Sequence, residues 1–349
     1  MTMTEGPGMI ALLGSGETAP SSGVVYDRLT TRVEVPLRVS ILETPAGFQP
    51  NSERVANKVA DFLRVRLQNL RPEVSLLPAR ARGTAHSPDN PATTAAMLQS
   101  DMIFLGPGSP TYAVRQLAGS LAWQRLQARH RRGAAVVSAS AATIALGVLA
   151  MPVYEIYKVG AELHWQPGLD LLAPYGLSII FVPHWNNTEG GADLDTSRCY
   201  MGQERYDQMV TLLPAELTVV GIDEHTGLVL DLAGEQAEVM GRGGVTVMRA
   251  GRTQHYPRTS RFVLSDLGPF QMIDPCAGLP PEVWAETESR PRVAPATPRV
   301  PDEVRTLVEE RQDARTRCDW AAADVLRARI VVAGWQVKDT PDGPVVEPE

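Results

Sequence analysis

The sequence has few cysteines and only a short apolar run near its beginning, and each shortage argues against a class of protein. Its three cysteines, Cys199, Cys276 and Cys318, are scattered and include no Cys-x-x-Cys pair, which argues against a disulfide framework and a cysteine zinc site. Unpaired cysteines indicate a reducing, cytoplasmic location. The first apolar run, residues 9–13, is too short for a signal core or a membrane span, so we expect neither export nor a membrane partner.

Basic residues are also in the minority. The 349-residue chain carries 33 Lys and Arg against 40 Asp and Glu, a formal net charge of -7, which argues against a general polyanion binder.

No metal or other cofactor is expected. The run Asp223-Glu224-His225 has no second ligand cluster and is typical of a solvated turn. The loop Gly14-Ser-Gly-Glu17 lacks the Lys-Ser/Thr of a phosphate-binding loop.

Strand-like and helix-like runs alternate through the first half of the chain. Predominantly apolar runs lie at residues 9–13, 37–42, 74–77, 101–105 and 134–139. Such strands, separated by helices, are typical of a parallel sheet that is covered on both faces. We therefore predict an α/β fold with an open, mostly parallel sheet and helices on both faces. The short strands predicted between residues 217 and 249 should form an antiparallel extension of that sheet.

Composition divides the chain into three parts. Residues 1–275 form the predicted α/β domain, and residues 276–301 form a predicted linker because they are rich in proline. Residues 302–349 show two helical patterns and are predicted to form a small helical hairpin.

A strand-to-helix turn at Ser140 is the candidate nucleophile position. The apolar strand at residues 134–139 runs into an Ala-rich, helix-like segment. A sharp turn there lifts one side chain clear of the backbone and directs the N–H of the next residue, Ala141, at a developing oxyanion. Gly108, which follows another predicted strand, is a candidate second donor. The alternative is an ordinary buried crossover.

A serine nucleophile needs a base and an orienting acid. His184 is the best candidate base among six histidines, because it alone directly follows a strongly apolar strand of the α/β domain. Glu155 and Glu162 are candidate acids, since both lie between the serine and the histidine. Either carboxylate could instead be a solvated surface group.

Loops at the carboxyl ends of the strands should converge into one site. Four loops qualify, at residues 14–17, 106–109, 138–140 and 183–185. Beyond the candidate catalytic groups, these loops supply Glu17, Ser109 and Trp185 as candidate substrate-binding residues.

Several of these stretches resemble one family of serine peptidases. They are Leu13-Gly-Ser-Gly-Glu17, residues 104–110, the Ser140 turn, Phe181-Val-Pro-His184-Trp185 and residues 217–224. Residues 1–275 resemble the family of dipeptidase E, cyanophycinase and microcin-immunity-type peptidases, whose fold is similar to that of class I glutamine amidotransferases.

The resemblance implies roles for individual residues. It implies Ser140 as nucleophile, His184 as general base, an acid near Glu155, and Gly108 and Ala141 as oxyanion donors. Cyanophycinase-like members also carry an Arg-rich stretch after the histidine, and only Arg198 and Arg205 could represent it here.

The turn departs from the family pattern. The usual Gly-x-Ser-Ala-Gly-Ala is replaced by Ser138-Ala-Ser140-Ala-Ala142-Thr143, so both glycines are lost.

The tail carries a second resemblance. Residues 307–315, Asp319-Trp-Ala-Ala-Ala-Asp324-Val-Leu-Arg327 and residues 334–344 resemble the C-terminal end of cysteinyl-tRNA synthetases. The resemblance implies a tRNA or protein partner for residues 302–349. This segment has 11 acidic and seven basic residues, so tight non-specific RNA binding is not expected. A docking or homodimerisation hairpin is the alternative.

The sequence thus favours a serine hydrolase that acts on a small peptide or amide through Ser140, His184 and Glu155. Because the turn has lost both glycines, the alternative is a catalytically silent, amidotransferase-like ligand-binding protein whose tail recruits tRNA or a translation partner. A glutamine amidotransferase is a poorer choice, since that chemistry would want cysteine at position 140.

Overall fold

The computed structural model describes residues 6–31, 33–288, 301–317, 319–340 and 343–348. The chain divides into two compact units, Met1–Glu288 and Ser289–Glu349. Much of the predicted linker, residues 289–300, lies outside the described residues. Its first part instead belongs to the first unit, because Pro281–Glu286 is helical and packs through Val283 beside Ala128.

The first unit is an α/β structure. Its helices are α1 Gly23–Leu29, α2 Ser52–Arg66, α3 Pro110–Leu117, α4 Leu121–Arg131, α5 Ala141–Ala145, α6 Val153–Tyr157, α7 Gln203–Val210 and α8 Pro281–Glu286. Its first eight strands are β1 Ile10–Leu13, β2 Arg38–Leu42, β3 Glu73–Leu77, β4 Met102–Leu105, β5 Ala135–Ala139, β6 Leu149–Ala150, β7 Gln166–Pro167 and β8 Ile179–Val182. The later strands are β9 Thr218–Ile222, β10 Thr226–Asp231, β11 Gln236–Gly241, β12 Val245–Arg249, β13 Arg252–Tyr256 and β14 Arg261–Val263.

An eight-stranded sheet has the order β14-β11-β10-β1-β5-β4-β2-β3. The neighbours from β1 to β3 pair in parallel, and β10, β11 and β14 add an antiparallel edge. Alternate residues of β1 enter different cores, with Ile10 and Leu12 on one face and Ala11 and Leu13 on the other. Burial on both faces explains why β1 is apolar throughout. The predicted α/β class and mostly parallel sheet are confirmed.

The predicted antiparallel extension is divided between two sheets. The strands β9 and β12 belong to a second, four-stranded sheet of order β13-β12-β9-β8, whereas β10 and β11 belong to the large sheet. In the second sheet β9 pairs in parallel with β8, with Val182 opposite Gly221. The carboxyl ends of β8 and β9 therefore lie side by side, and this pairing positions the candidate site.

The second unit contains two helices and a hairpin. Helices α9 Asp302–Thr316 and α10 Trp320–Val332 are followed by strands β15 Trp335–Thr340 and β16 Gly343–Pro348, which pair antiparallel. The guanidinium of Arg311 forms two 2.9 Å bonds to the carboxylate of Asp339 and so links α9 to β15. The strand pair follows the two helices of the predicted hairpin and was not part of that prediction. No helix in the described ranges is both long and apolar enough to cross a membrane.

Candidate active site

Ser140 sits on a strained turn between β5 and α5. Its backbone angles are φ 51° and ψ -114°, a conformation that non-glycine residues rarely adopt and that is typical of a nucleophile held at a strand-to-helix turn. Ala141 is the first residue of α5, so its main-chain N–H has no acceptor within the helix. Ser140 and Ala141 line the same pocket.

The residues that replace the two glycines are accommodated within the core. Ser138 is fully buried, and its hydroxyl lies 3.0 Å from the hydroxyl of Thr143, which donates to the carbonyl of Leu13. Ala142 is only 1% exposed and packs in the main core. The added Ser138 and Ala142 side chains thus point away from the groove in front of Ser140.

His184 lies directly against the serine. It follows β8, and its Nε2 is 2.9 Å from the Oγ of Ser140. The His184 ring centroid lies 5.7 Å from that of Tyr200. This is the pair that a serine nucleophile and its base require, at hydrogen-bonding distance.

The carboxylate on the other side of the His184 ring belongs to Glu224. Its Oε1 lies 3.0 Å from the Nδ1 of His184 and accepts a 2.8 Å bond from the side-chain amide of Asn187. The Oδ1 of Asn186 accepts from the main-chain N–H of Glu224. The hydrogen bond from His184, followed by that from Asn187, lowers the pKa of Glu224 below its ordinary value.

The two acids predicted from the sequence do not reach the histidine. Glu155 lies on α6 and lines a neighbouring pocket, while Glu162 is exposed. Glu224 occupies the position instead, because β8 and β9 are parallel neighbours and the loops that follow them meet. The prediction of a solvated turn at residues 223–225 is corrected at Glu224, whose carboxylate is bonded to His184 and Asn187.

Gly108 faces the serine turn from the loop after β4. It has φ 155°, and a Cβ there would overlap the carbonyl oxygen of Pro45. Glycine is therefore required for the close approach of the two backbones. Gly108 and Ala141 line the pocket at Ser140, so the two predicted oxyanion donors lie in one place.

The pocket at Ser140, which we call the serine pocket, has a volume of about 270 Å³. The titratable residues of its wall that were not predicted from the sequence are Tyr154, Tyr157, Lys158, Glu189, Cys199 and Tyr200. Burial raises the pKa of the Cys199 thiol to about 12, so this cysteine is no competing nucleophile at neutral pH. The Tyr200 hydroxyl donates a 3.1 Å bond to Glu189.

The predicted substrate-binding residues have mostly structural contacts. Trp185 is buried, and the Arg198 guanidinium lies 3.9 Å from the Trp185 ring centroid and donates to the Trp185 carbonyl. Arg205 donates to the carbonyls of Met201 and Tyr200. None of Trp185, Arg198 and Arg205 lines the serine pocket.

Ser109 and Glu17 also lie outside the serine pocket. The Ser109 hydroxyl caps α3 by accepting from the N–H of Tyr112, and Ser109 lines the neighbouring pocket. The main-chain carbonyl of Glu17 accepts from the hydroxyl of Tyr26.

The glycine-rich loop after β1 supports the turn that carries Glu224. A Cβ at Gly14 would overlap the carbonyl oxygen of Asp223, and a Cβ at Gly16 would overlap the ring of His225. The Ser15 hydroxyl accepts from the N–H of His225. The two glycines are therefore explained by close packing. Within the described ranges, no group of three His, Cys, Asp or Glu side chains is arranged to hold a metal ion.

Comparison with solved structures relates the fold to a peptidase. A peptidase from an acI-B1 Actinobacterium superposes with a TM-score of 0.58 and 19% sequence identity, over 74% of this chain and 98% of that one. A putative peptidase E protein from Listeria monocytogenes gives a TM-score of 0.45 with 15% identity, over 67% of this chain and 98% of the other. At these identities the first comparison shows a shared fold.

Comparison with curated proteins finds cysteine–tRNA ligases. The ligase of Cutibacterium acnes is 29% identical over 185 residues, half of this chain and 36% of the ligase. Cysteine–tRNA ligase 1 of Burkholderia lata is 50% identical over 44 residues, and the Chlamydia pneumoniae ligase is 47% identical over 49, so the chain spans only 9% and 10% of their lengths. The shorter matches agree in length with the C-terminal segment. No family model matches the chain.

Proposed function

We propose that this protein is a serine peptidase or amidase that hydrolyses a small peptide or amide through Ser140, His184 and Glu224. One observation carries the proposal: an unbroken series of hydrogen-bond contacts runs from the Ser140 hydroxyl through both ring nitrogens of His184 to the Glu224 carboxylate. Such a series is the arrangement that activates a serine hydroxyl at neutral pH. The peptidase fold supports the same chemistry.

Proton transfer begins at the serine. An ionised carboxylate can only accept hydrogen bonds, so Glu224 fixes the ring proton of neutral His184 on Nδ1 and leaves Nε2 free as a base. Nε2 removes the Ser140 proton as Oγ attacks the substrate carbonyl carbon. The nearby Glu224 carboxylate stabilises the resulting imidazolium.

The oxyanion is then stabilised by main-chain donors. Gly108 and Ala141 line the serine pocket, and their main-chain N–H groups would bind the negative oxygen of the tetrahedral intermediate. His184 then gives its proton to the nitrogen of the leaving amine. The scissile C–N bond breaks, the amine departs, and the acyl group remains on Ser140. Attack by a water molecule, deprotonated by the same ring nitrogen, releases the acid and restores Ser140.

Two features argue against the catalytically silent alternative. The side chains that replace the family's glycines are buried and hydrogen-bonded or packed, so they do not obstruct Ser140. A catalytic role would also explain why the backbone at Ser140 is strained and why position 108 requires glycine.

A dipeptide and amino-acid amide library tests the proposal. We expect the wild-type protein to hydrolyse a subset of the library and Ser140→Ala to lose at least about 10³-fold in kcat. Ser265→Ala, a change at an exposed serine outside the site, should retain full activity. Absence of turnover of any member, or hydrolysis that survives Ser140→Ala, would refute the proposal.

We further propose that the C-terminal unit contacts tRNA. The similarity to cysteine–tRNA ligases supports this, as does Trp320, an indole that is 57% exposed with the Arg315 guanidinium 5.6 Å from its ring centroid. Exposed aromatic rings beside arginine are suited to stacking on bases. In a gel-shift titration with bulk tRNA, the full chain should give a shift that Trp320→Ala weakens. Absence of a shift would exclude a tRNA role and leave docking or homodimerisation.

A further inference from the structure

A second pocket adjoins the serine pocket. Its volume is about 540 Å³, within the range of small-molecule binding sites. The two pockets share Tyr154 and Lys158 in their walls, and we call the second one the aromatic pocket. A substrate held at Ser140 could therefore extend into it along α6.

Three aromatic rings line the aromatic pocket. They belong to Phe48, Tyr112 and Tyr154. Phe48 is 49% exposed and Tyr154 is 40% exposed, and the ring centroids of Phe48 and Tyr112 are 5.2 Å apart. Large rings exposed on a concave surface favour an apolar occupant, because its binding removes their surface from water.

Two cations in the same wall have no carboxylate partner among the described residues. The guanidinium of Arg115 lies 5.0 Å from the centroid of the Tyr112 ring, and the ammonium of Lys158 lies 4.8 Å from that of Tyr157. In contrast, Arg80 and Arg125 form ion pairs with carboxylates. The pocket can therefore offer both cations to an anionic group on a ligand.

An unpaired acceptor lies beside these cations. The Oε2 of Glu155 is buried and accepts no hydrogen bond within the described part of the chain, although Glu155 lines the aromatic pocket. A carboxylate in the pocket wall can accept a hydrogen bond from an N–H of a ligand. With Arg115 and Lys158 against Glu155, the charged side chains of the pocket wall carry a net charge of +1.

We propose that the aromatic pocket is the subsite for the C-terminal residue of a short peptide with a bulky apolar side chain. The side chain packs among the aromatic rings, Arg115 and Lys158 bind the free carboxylate, and Glu155 accepts a main-chain N–H. The assignment of the ligand as a peptide substrate rests on the proposed hydrolysis at Ser140. The arrangement of rings, cations and buried acceptor is independent of that chemistry.

Binding to the full-length Ser140→Ala protein separates recognition from hydrolysis. Isothermal titration calorimetry would compare three peptides: Ala-Ala-Phe, its C-terminal amide, and Ala-Ala-Gly. We expect the Phe acid to bind about tenfold more tightly than either of the others, because only it supplies both the ring and the carboxylate. In the wild-type protein, kcat/KM should follow the same order.

Arg115→Gln provides the matched test, since Arg115 lines the aromatic pocket but not the serine pocket. Added to Ser140→Ala, it should reduce the preference for the acid over the amide, because only Lys158 then remains to bind the carboxylate, and keep the preference for Phe over Gly. Arg252→Gln, a change at an exposed arginine on β13, should alter neither.

Each failure has a distinct meaning. Equal binding of acid and amide, an acid preference that is unchanged by Arg115→Gln, or absence of binding by all three peptides would overturn the subsite. Preferential binding in Ser140→Ala without hydrolysis by wild type would support the subsite and refute the proposed peptidase reaction.

Discussion

The turn that carries Ser140 is almost fully enclosed by packing, whereas the turn that carries Glu224 is more exposed and relies more on side-chain hydrogen bonds from other loops. We call residues 138–142 the serine turn and residues 223–225 the acid turn. In the serine turn, Ser138, Ala141 and Ala142 are each at most 3% exposed. In the acid turn, the Glu224 side chain is 26% exposed.

The contacts of the acid turn come from several loops. Asn186 and Asn187 bind the backbone and the carboxylate of Glu224, and Ser15 binds the backbone of His225. Packing fixes where the nucleophile stands, and hydrogen bonds fix the charge and orientation of the acid. The account therefore predicts different effects when the two turns are altered.

The largest of these effects is expected at the acid itself. Glu224→Gln removes the negative charge that orients His184 and stabilises its imidazolium, so kcat should fall by about 10³- to 10⁴-fold while folding is retained. Steady-state kinetics on the best substrate would measure it. Glu162→Gln, which changes an exposed carboxylate, is the control. Near wild-type activity in Glu224→Gln would exclude Glu224 as the acid.

A smaller loss of kcat is expected from a substitution at Gly108, which lies opposite the serine turn. Gly108→Ala forces its backbone away from Pro45, which displaces a proposed oxyanion donor, and kcat should fall by about 10²-fold. Gly119→Ala is a matched control, because Gly119 also has a positive φ of 69° but open space around its Cα. It should lose stability but not activity. Equal kcat values for the two variants would remove Gly108 from the oxyanion hole.

The smallest loss is expected when one hydrogen bond of the acid turn is removed. Asn187→Ala deletes a donor to the Glu224 carboxylate, so the pKa of Glu224 should rise towards its ordinary value and kcat should fall by about tenfold. Carboxyl NMR titration and kinetics would measure both. Asn57→Ala, at a half-buried asparagine on α2 outside the site, should change neither.

Asn187→Ala should also change how the free energy of unfolding depends on pH. The pKa of Glu224 is lower in the folded protein than its ordinary value. Its ionised form therefore stabilises the fold above the unfolded-state pKa, and this contribution is lost as the pH falls through the folded-state pKa. Between acidic and neutral pH, the free energy of unfolding should therefore rise by less in Asn187→Ala than in the wild type. If that rise and the pKa of Glu224 are both the same in the two proteins, Asn187 does not act on the charge of Glu224.

Local sequence pattern was sufficient to predict the large sheet and the Ser140–His184 contact. Apolar runs on both faces identify buried parallel strands, and the end of such a strand is where an exposed serine or histidine reaches a common edge. Ser140 and His184 each follow a predominantly apolar, fully buried strand, so their positions depended on information within a few residues of each.

The acid could not be found in this way. Glu224 reaches His184 because β9 pairs with β8, while the following strands β10 and β11 join the other sheet. Short strands separated by turns are typical of an antiparallel meander, and their pattern does not indicate which sheet each one joins. The parallel pairing of residues 179–182 with 218–221 was the missing information.

Charge alone was also a poor guide to the substrate site. Arg198 and Arg205 follow the histidine in sequence, but their guanidinium groups donate to main-chain carbonyls. Lys158 and Arg115, which line the adjoining pockets, are distant from His184 in sequence. Which charged side chains line the pockets is therefore decided by tertiary packing.

The central claim is that packing presents Ser140 as a nucleophile activated by His184 and Glu224. Reaction with a fluorophosphonate, followed by peptide mapping by mass spectrometry, tests it most directly because no substrate needs to be known. We predict one adduct, on Ser140, that is absent from Ser140→Ala and forms much more slowly in Glu224→Gln. An unlabelled wild-type protein, or labelling that persists in Ser140→Ala, would contradict the account.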